Sequence, residues 1–225
     1  MLFAVVAFLL IVHYKYRMTL KPLAATLLMG ILASFAAYQI KQMGFNFGII
    51  NKSDPIFNFT YAFFAIGLCM QLLQFLFLKV LIYPSPHFKS HLFGLIYCIW
   101  ISIAALIPEL FTLNNKEYPS LVILNIPGHI STAIIMGYFI SMAKFSRDSN
   151  QNFTYLNSGL ASAIIIQGLH EFFILEGQFP NLIVLILGTG FLSLILIAHL
   201  FRQENNTVKT IKNQKLEELY PEEEL

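Results

Sequence analysis

The chain has 225 residues, of which 57% are hydrophobic, 15% aromatic and only 12% charged, with 22 Phe. One small soluble core cannot hide that much apolar surface, so a water-soluble globular domain is excluded and a lipid bilayer is required around the protein. Fourteen Lys and Arg stand against 12 Asp and Glu, with no basic patch interleaved with aromatic residues, so the expected partners include the lipid bilayer and no nucleic acid.

Seven apolar segments are predicted as helices, at about 2–14, 22–40, 57–83, 92–113, 119–143, 155–175 and 181–201. A hydrocarbon core of about 30 Å asks for roughly 20 residues per span. The predicted fold is therefore all-α, a polytopic transmembrane helical bundle of about seven spans.

The first segment has no basic residue ahead of it and no small-residue cleavage site, while Lys15, Arg17 and Lys21 follow it, so it reads as an uncleaved anchor. In the third, Gln71 and Gln74 lie three residues apart on one helical face, which is expected to turn into the bundle. Pro84 and Pro86 mark a turn after it. The fourth segment carries Glu109. In the fifth, Pro127 and Gly128 are expected to start or interrupt the helix and so to place His129 in its first turn.

Asn150 to Asn152 form a polar loop, and the sixth segment then presents Gln167, His170 and Glu171 on one broad face, with Gln167 and Glu171 as i, i+4 partners. The chain divides into an integral membrane domain, 1–201, and a charged tail, 202–225, basic through Lys215 and then acidic, read as a short helix or a disordered extension. Cys69 and Cys98 fall in apolar segments and read as small core residues. There is no internal repeat and no phosphate-binding glycine loop.

Alternate connections between the segments hold eleven Lys and Arg on one side and three on the other. The positive-inside rule then places the N-terminus outside and the C-terminal tail in the cytoplasm of a bacterial inner or plasma membrane. At 1.5 Å per residue, Glu109 and Glu171 both fall about 6 Å below the outer ends of their spans. His129 is expected close to the same side.

An ionisable group inside a membrane span is costly, and it marks a functional site more often than not. Glu109, His129 and Glu171 are therefore predicted to converge, with Gln71, Gln74, Gln167 and His170 around them. Carboxylate and imidazole suit zinc, and a zinc ion with one open position activates water for hydrolysis at neutral pH. The competing structural reading has a protonated Glu109 bonded to a neighbouring helix and His129 satisfied by a backbone carbonyl. His13, His87, His91 and His199 lie near span ends or in loops and are expected to be solvated or interfacial.

The order of these motifs, over most of residues 60–175, resembles the PrsW family of intramembrane metalloproteases, related to the CAAX-processing and bacteriocin-processing membrane peptidases. Where that family carries paired glutamates followed by a lysine, this chain has Met70-Gln71-Leu72-Leu73-Gln74. The family's aromatic-containing run ending in Glu-Asn resembles Phe93-Gly94-Leu95-Ile96-Tyr97 through Pro108-Glu109-Leu110, with the glutamate kept and Leu110 in place of asparagine. Its glycine and histidine with a later glycine-aromatic pair resemble Gly128-His129 and Gly137-Tyr138-Phe139. Its His-Gly-Leu-x-Asn/Asp-Phe stretch is similar to Gln167-Gly168-Leu169-His170-Glu171-Phe172, with Gln167 at the histidine position and Glu171 at the Asn/Asp position.

The resemblance implies an intramembrane metalloprotease that cuts a membrane-protein substrate with metal-activated water. Glu109 and Glu171 would be its catalytic residues, and Glu109, His129 and Glu171 the ligands of a divalent metal, zinc. Gln71 and Gln74 cannot act as bases, since a neutral amide accepts no proton. Two other readings compete: a non-catalytic homologue that binds transmembrane segments, and a small transporter using Glu and His as a proton relay. No pair of broken helices in matching halves supports the transporter.

Overall fold

The computed structural model describes residues 20–47, 54–111 and 119–219, so the predicted first segment at 2–14 lies outside the described residues. The described chain is almost wholly helical, with no β-strand among the described residues, in α1 (Leu20–Asn46), α2 (Pro55–Ile82), α3 (His91–Phe111), α4 (Pro119–Phe145), α5 (Ser149–Leu175) and α6 (Phe179–Leu219). Each contains a stretch long and apolar enough to cross a bilayer. These six overlap the six remaining predicted segments, but Asn150 to Asn152, expected as a polar loop, form the first turn of α5, which Asp148 caps.

The surface of the bundle has the character of a lipid-facing one. Phe64, Val184, Leu187 and Phe191 are each about two-thirds exposed or more, a display that would drive aggregation in water but is solvated by acyl chains in a membrane. The interior lies between α3 and α4, where 72% of each spanning window is buried against 17% in α6. Leu95, Ile96, Tyr97, Met136 and Ile140 form its centre, joined by Phe75, Leu78 and Ile82 from the end of α2. The main packing order is α1 on α3, α3 on α4, α4 on α5 and α5 on α2, with α6 laid chiefly against α4.

Local sequence sets the helix ends. Asp54 caps α2 by accepting the Phe57 N–H at 3.1 Å, and Pro55 follows where a missing N–H costs nothing. At the end of α5, Gly177 adopts φ 67°, the Gln178 N–H reaches the Phe173 carbonyl at 2.8 Å and the Gly177 N–H reaches that of Ile174 at 3.2 Å. That paired closure satisfies carbonyls the helix would leave open, and it favours glycine because no Cβ crowds the left-handed backbone.

At the opposite end of the bundle, Lys144 Nζ donates to the Tyr83 carbonyl at 2.6 Å and Asn152 Nδ2 to the Ala143 carbonyl at 2.9 Å. The His91 N–H donates to Glu204 Oε2 at 3.0 Å, so a carboxylate from α6 covers the first turn of α3. His91 is thereby buried at a helix junction, where the sequence suggested an interfacial side chain.

Two features of the fold were not expected from sequence. Pro127 and Gly128 neither start nor break α4, which begins at Pro119 and carries Pro127 within it, so His129 sits about three turns into the helix instead of in its first turn. Neighbouring helices in a membrane bundle compensate for the backbone bond a proline removes. In addition, α2 contains two π-helical stretches, Tyr61–Gly67 and Leu78–Ile82, the second closed by the Tyr83 N–H on the Leu78 carbonyl at 2.8 Å. Such wide turns are frequent at functional positions in helices. Past residue 201, α6 runs on without a break to Leu219.

Glycine brings α3 and α4 into backbone contact. A Cβ added at Gly137 would stand 2.8 Å from Leu95 Cα and 2.9 Å from the Gly94 carbonyl oxygen, atoms that cannot turn aside. Gly137→Ala is expected to cost about 1–3 kcal/mol, lowering Tm by about 2–4 °C for each kcal/mol. Gly188, with nothing within 4 Å, is the control, and Gly188→Ala should be neutral or stabilise by up to about 1 kcal/mol. Thermal unfolding in detergent micelles reads both, and equal losses in the two variants would contradict this account of the packing.

Candidate functional site

The polar residues inside the bundle concentrate where α5 meets α2 and α4. Asn58, in the first turn of α2, is fully buried and donates through Nδ2 to Glu176 Oε1 at 2.7 Å, tying the start of α2 to the end of α5. Phe59 adds an edge-to-face contact with Phe172, centroids 5.4 Å apart. Further along, a Cβ on Gly67 would lie 3.1 Å from Gly168 N and 3.2 Å from Gly168 Cα. The contacts run from 58 with 176 to 67 with 168, so the two helices are antiparallel and nearly touch at their backbones.

Three amides lie along that seam. Gln71 and Gln74 follow Gly67 at +4 and +7, which returns them to the helix face that meets α5. Gln167 directly precedes Gly168. All three are buried, as the sequence pattern predicts for Gln71 and Gln74. Gln167 Nε2 also reaches Glu171 Oε1 at 3.5 Å, a long contact that still joins the i, i+4 pair.

From the other side α4 supplies Asn125 and His129, four residues apart and both buried. Thr132 returns its hydroxyl to the Gly128 carbonyl at 2.9 Å. Gly128 packs against the imidazole of His170 so closely that an added Cβ would stand 2.4 Å from His170 Nε2. His129 and Glu171 each follow a member of this contact and therefore share a depth in the bundle. Their exposures are 1% and 2%. Glu109 lies two residues before the end of α3. Its side chain lies outside the described residues.

Imidazole and carboxylate together are suitable donors for a divalent cation. Among the described residues, however, no three His, Cys, Asp or Glu side chains gather in a way that could hold one. His129, His170 and Glu171 do not complete such a set by themselves, so a metal at this position needs a donor such as Glu109.

Two buried polar residues of this region, Asn58 and Asn125, were not singled out by sequence reasoning. The signal existed: each is an amide within or at the edge of an apolar run, and a buried amide in a membrane span needs a partner. What sequence alone lacked was the pairing of Asn58 with Glu176 across 118 positions.

Comparison with known proteins places this geometry in context. The family described as PrsW family intramembrane metalloprotease matches residues 122–209, a stretch that contains His129, Gln167, His170 and Glu171. Protease PrsW of Oceanobacillus iheyensis is 27% identical over 213 residues, covering 92% of this chain and 94% of the relative. Protease PrsW of Clostridioides difficile is 26% identical over 122 residues, 51% of each chain. That of Bacillus subtilis is 25% identical over 119 residues, 51% of this chain and 54% of its own length. Against the latter two, the match spans about half of the relative. No solved structure matches the chain.

The contact between Gly128 and His170 predicts a strong coupling. Gly128→Ala should destabilise the chain by about 1–3 kcal/mol, because the imidazole must move and it lies in a packed interior. His170→Ala should relieve that clash, so the double variant should recover at least about 1 kcal/mol relative to the sum of the single changes. Unfolding of the four proteins in detergent measures the cycle, and additive losses would show that the ring does not press on Gly128.

Proposed function

We propose that this chain, which is similar to the PrsW proteases, is an intramembrane protease acting on another membrane protein, with its active site formed by His129 of α4 and Glu171 of α5 together with Glu109 of α3. The observation that carries this reading is the burial of an acid, Glu171, at the depth of two buried imidazoles, His129 and His170, within helices otherwise packed with apolar side chains. Without a functional return, such groups are expensive in a bilayer.

Glu109, His129 and Glu171 would hold a divalent ion, zinc, which when bound lowers the pKa of water into the neutral range. The chain's own groups do the rest. Glu171 accepts the proton of the attacking water on a carboxylate oxygen and returns it to the leaving amine. Gln167, with Nε2 toward Glu171 Oε1, orients that carboxylate. The apolar residues of α3 and α4 keep bulk water from the site, which strengthens each charge interaction within it. The substrate is a membrane-spanning or juxtamembrane segment, because the residues of the site lie on helices long and apolar enough to cross the bilayer.

One observation favours a second reading, a non-catalytic homologue that binds such segments. Met70, Gln71 and Gln74 stand where the related family has acids and a lysine, and all three are buried and uncharged. Incubating the purified chain in vesicles with a panel of single-span membrane proteins separates the two. The leading reading predicts cleavage by the wild type and a loss of about 10²–10⁴-fold in Glu171→Gln. An inactive wild type with cleavage gained in Gln71→Glu favours the binding homologue, while equal cleavage in all variants overturns the role of Glu171.

We also propose that this end of the bundle faces outward, from the excess of Lys and Arg on the opposite connections. In intact cells an impermeant thiol reagent should label a cysteine introduced at Asn114 and spare one at Asn213. The reverse pattern would invert the protein.

A further inference from the structure

Gln71 Oε1, Gln74 Nε2 and Gln167 Oε1 are each buried and have no hydrogen-bond partner among the described residues. In a membrane interior no bulk water stands ready to satisfy them, and an unmet polar atom costs several kilocalories per mole in hydrocarbon. Three such atoms lie along one seam, since Gly67 on Gly168 joins α2 to α5, Gln71 and Gln74 follow Gly67 on the contact face, and Gln167 adjoins Gly168. Two are acceptors and one is a donor. A peptide backbone offers the matching groups, an N–H and a carbonyl on each residue.

We propose that Gln71, Gln74 and Gln167 form a binding site for the backbone of a locally unwound membrane-protein segment. An intact transmembrane helix cannot serve, because its N–H and carbonyl groups are already paired along the helix axis. A segment interrupted by Gly or Pro exposes those groups, and amides of fixed position accept them without reading side chains. Two π-helical turns, Tyr61–Gly67 and Leu78–Ile82, flank Gln71 and Gln74, a local geometry frequent at functional positions. Gln167, the member of the three nearest Glu171, precedes it by four residues, and Gln71 and Gln74 lie further along the seam. The inference rests on the reading of the chain as a protein that engages membrane segments, and it names the kind of segment engaged. It holds equally for a cutting enzyme and for a non-catalytic binder.

The test uses the full chain in phospholipid vesicles and two dye-labelled synthetic peptides: an uninterrupted Leu/Ala span, and the same span with Gly-Pro at its centre. Energy transfer to a dye on the protein reports affinity. The interrupted peptide should bind at least about tenfold more tightly to the wild type. In the triple variant Gln71→Leu, Gln74→Leu, Gln167→Leu that preference should vanish while Tm stays level or rises, because the buried polar atoms are gone and the volume is nearly kept. Equal affinity of the two peptides for wild type would overturn the proposal and point to internal water as the partner of these amides. A preference that survives in the triple variant would overturn it as well. Should the triple variant not fold, the single changes Gln71→Leu and Gln74→Leu must each reduce the preference, and an unchanged preference in both would refute the site. A wild type that keeps the preference but cuts nothing would sink the protease reading and leave this one standing.

Discussion

In a bilayer the hydrophobic effect does not press one helix against another, because lipid tails are as apolar as the side chains they would replace. Close packing has to do that work, and in this protein it depends on places where glycine lets two helices touch. At Gly67 and Gly168 the backbones of α2 and α5 come within van der Waals contact, and at Gly128 the wall of α4 closes on the His170 ring. The relative depths of the buried polar residues on α2, α4 and α5 follow from those two contacts. A side chain at either place would push apart the helices that carry Gln71, Gln167, His129 and Glu171.

Once the helices are so close, the polar groups between them lose water and must be answered by one another. Asn58 finds Glu176, Gln167 reaches Glu171, and Thr132 turns back to its own helix. The low dielectric of the interior makes each satisfied contact stronger and each unsatisfied one more costly. A region assembled in this way suits chemistry on a membrane segment, since charge placed there is felt at full strength. It is also poorly suited to serve only as packing, because apolar residues of equal size would pack with less penalty.

Much of the fold was legible in the sequence because a membrane span announces itself by length and hydropathy. The six described helices fall where the apolar segments do, and the burial of Gln71, Gln74 and the Gln167, His170, Glu171 face follows from helical spacing. Two features were hidden. Proline at 127 suggested a helix start, yet it lies inside α4, since in a bundle neighbouring helices compensate for the lost bond. The π-helical turns of α2 leave no local signature in a run as uniform as Tyr61–Gly67. At the site, residue type could be read from sequence, whereas pairing could not: Gly128 against His170 and Asn58 with Glu176 are relations between helices far apart in the chain.

The central claim is that Glu109, His129 and Glu171 act together on one divalent ion. Elemental analysis of the purified full-length chain, beside His129→Ala and Glu171→Ala prepared in the same way, tests it most directly. The account predicts about one zinc per chain in the wild type and a loss of about tenfold or more in affinity for each variant. Zinc absent from a folded wild type loaded with the ion, or held equally by all three proteins, would contradict it.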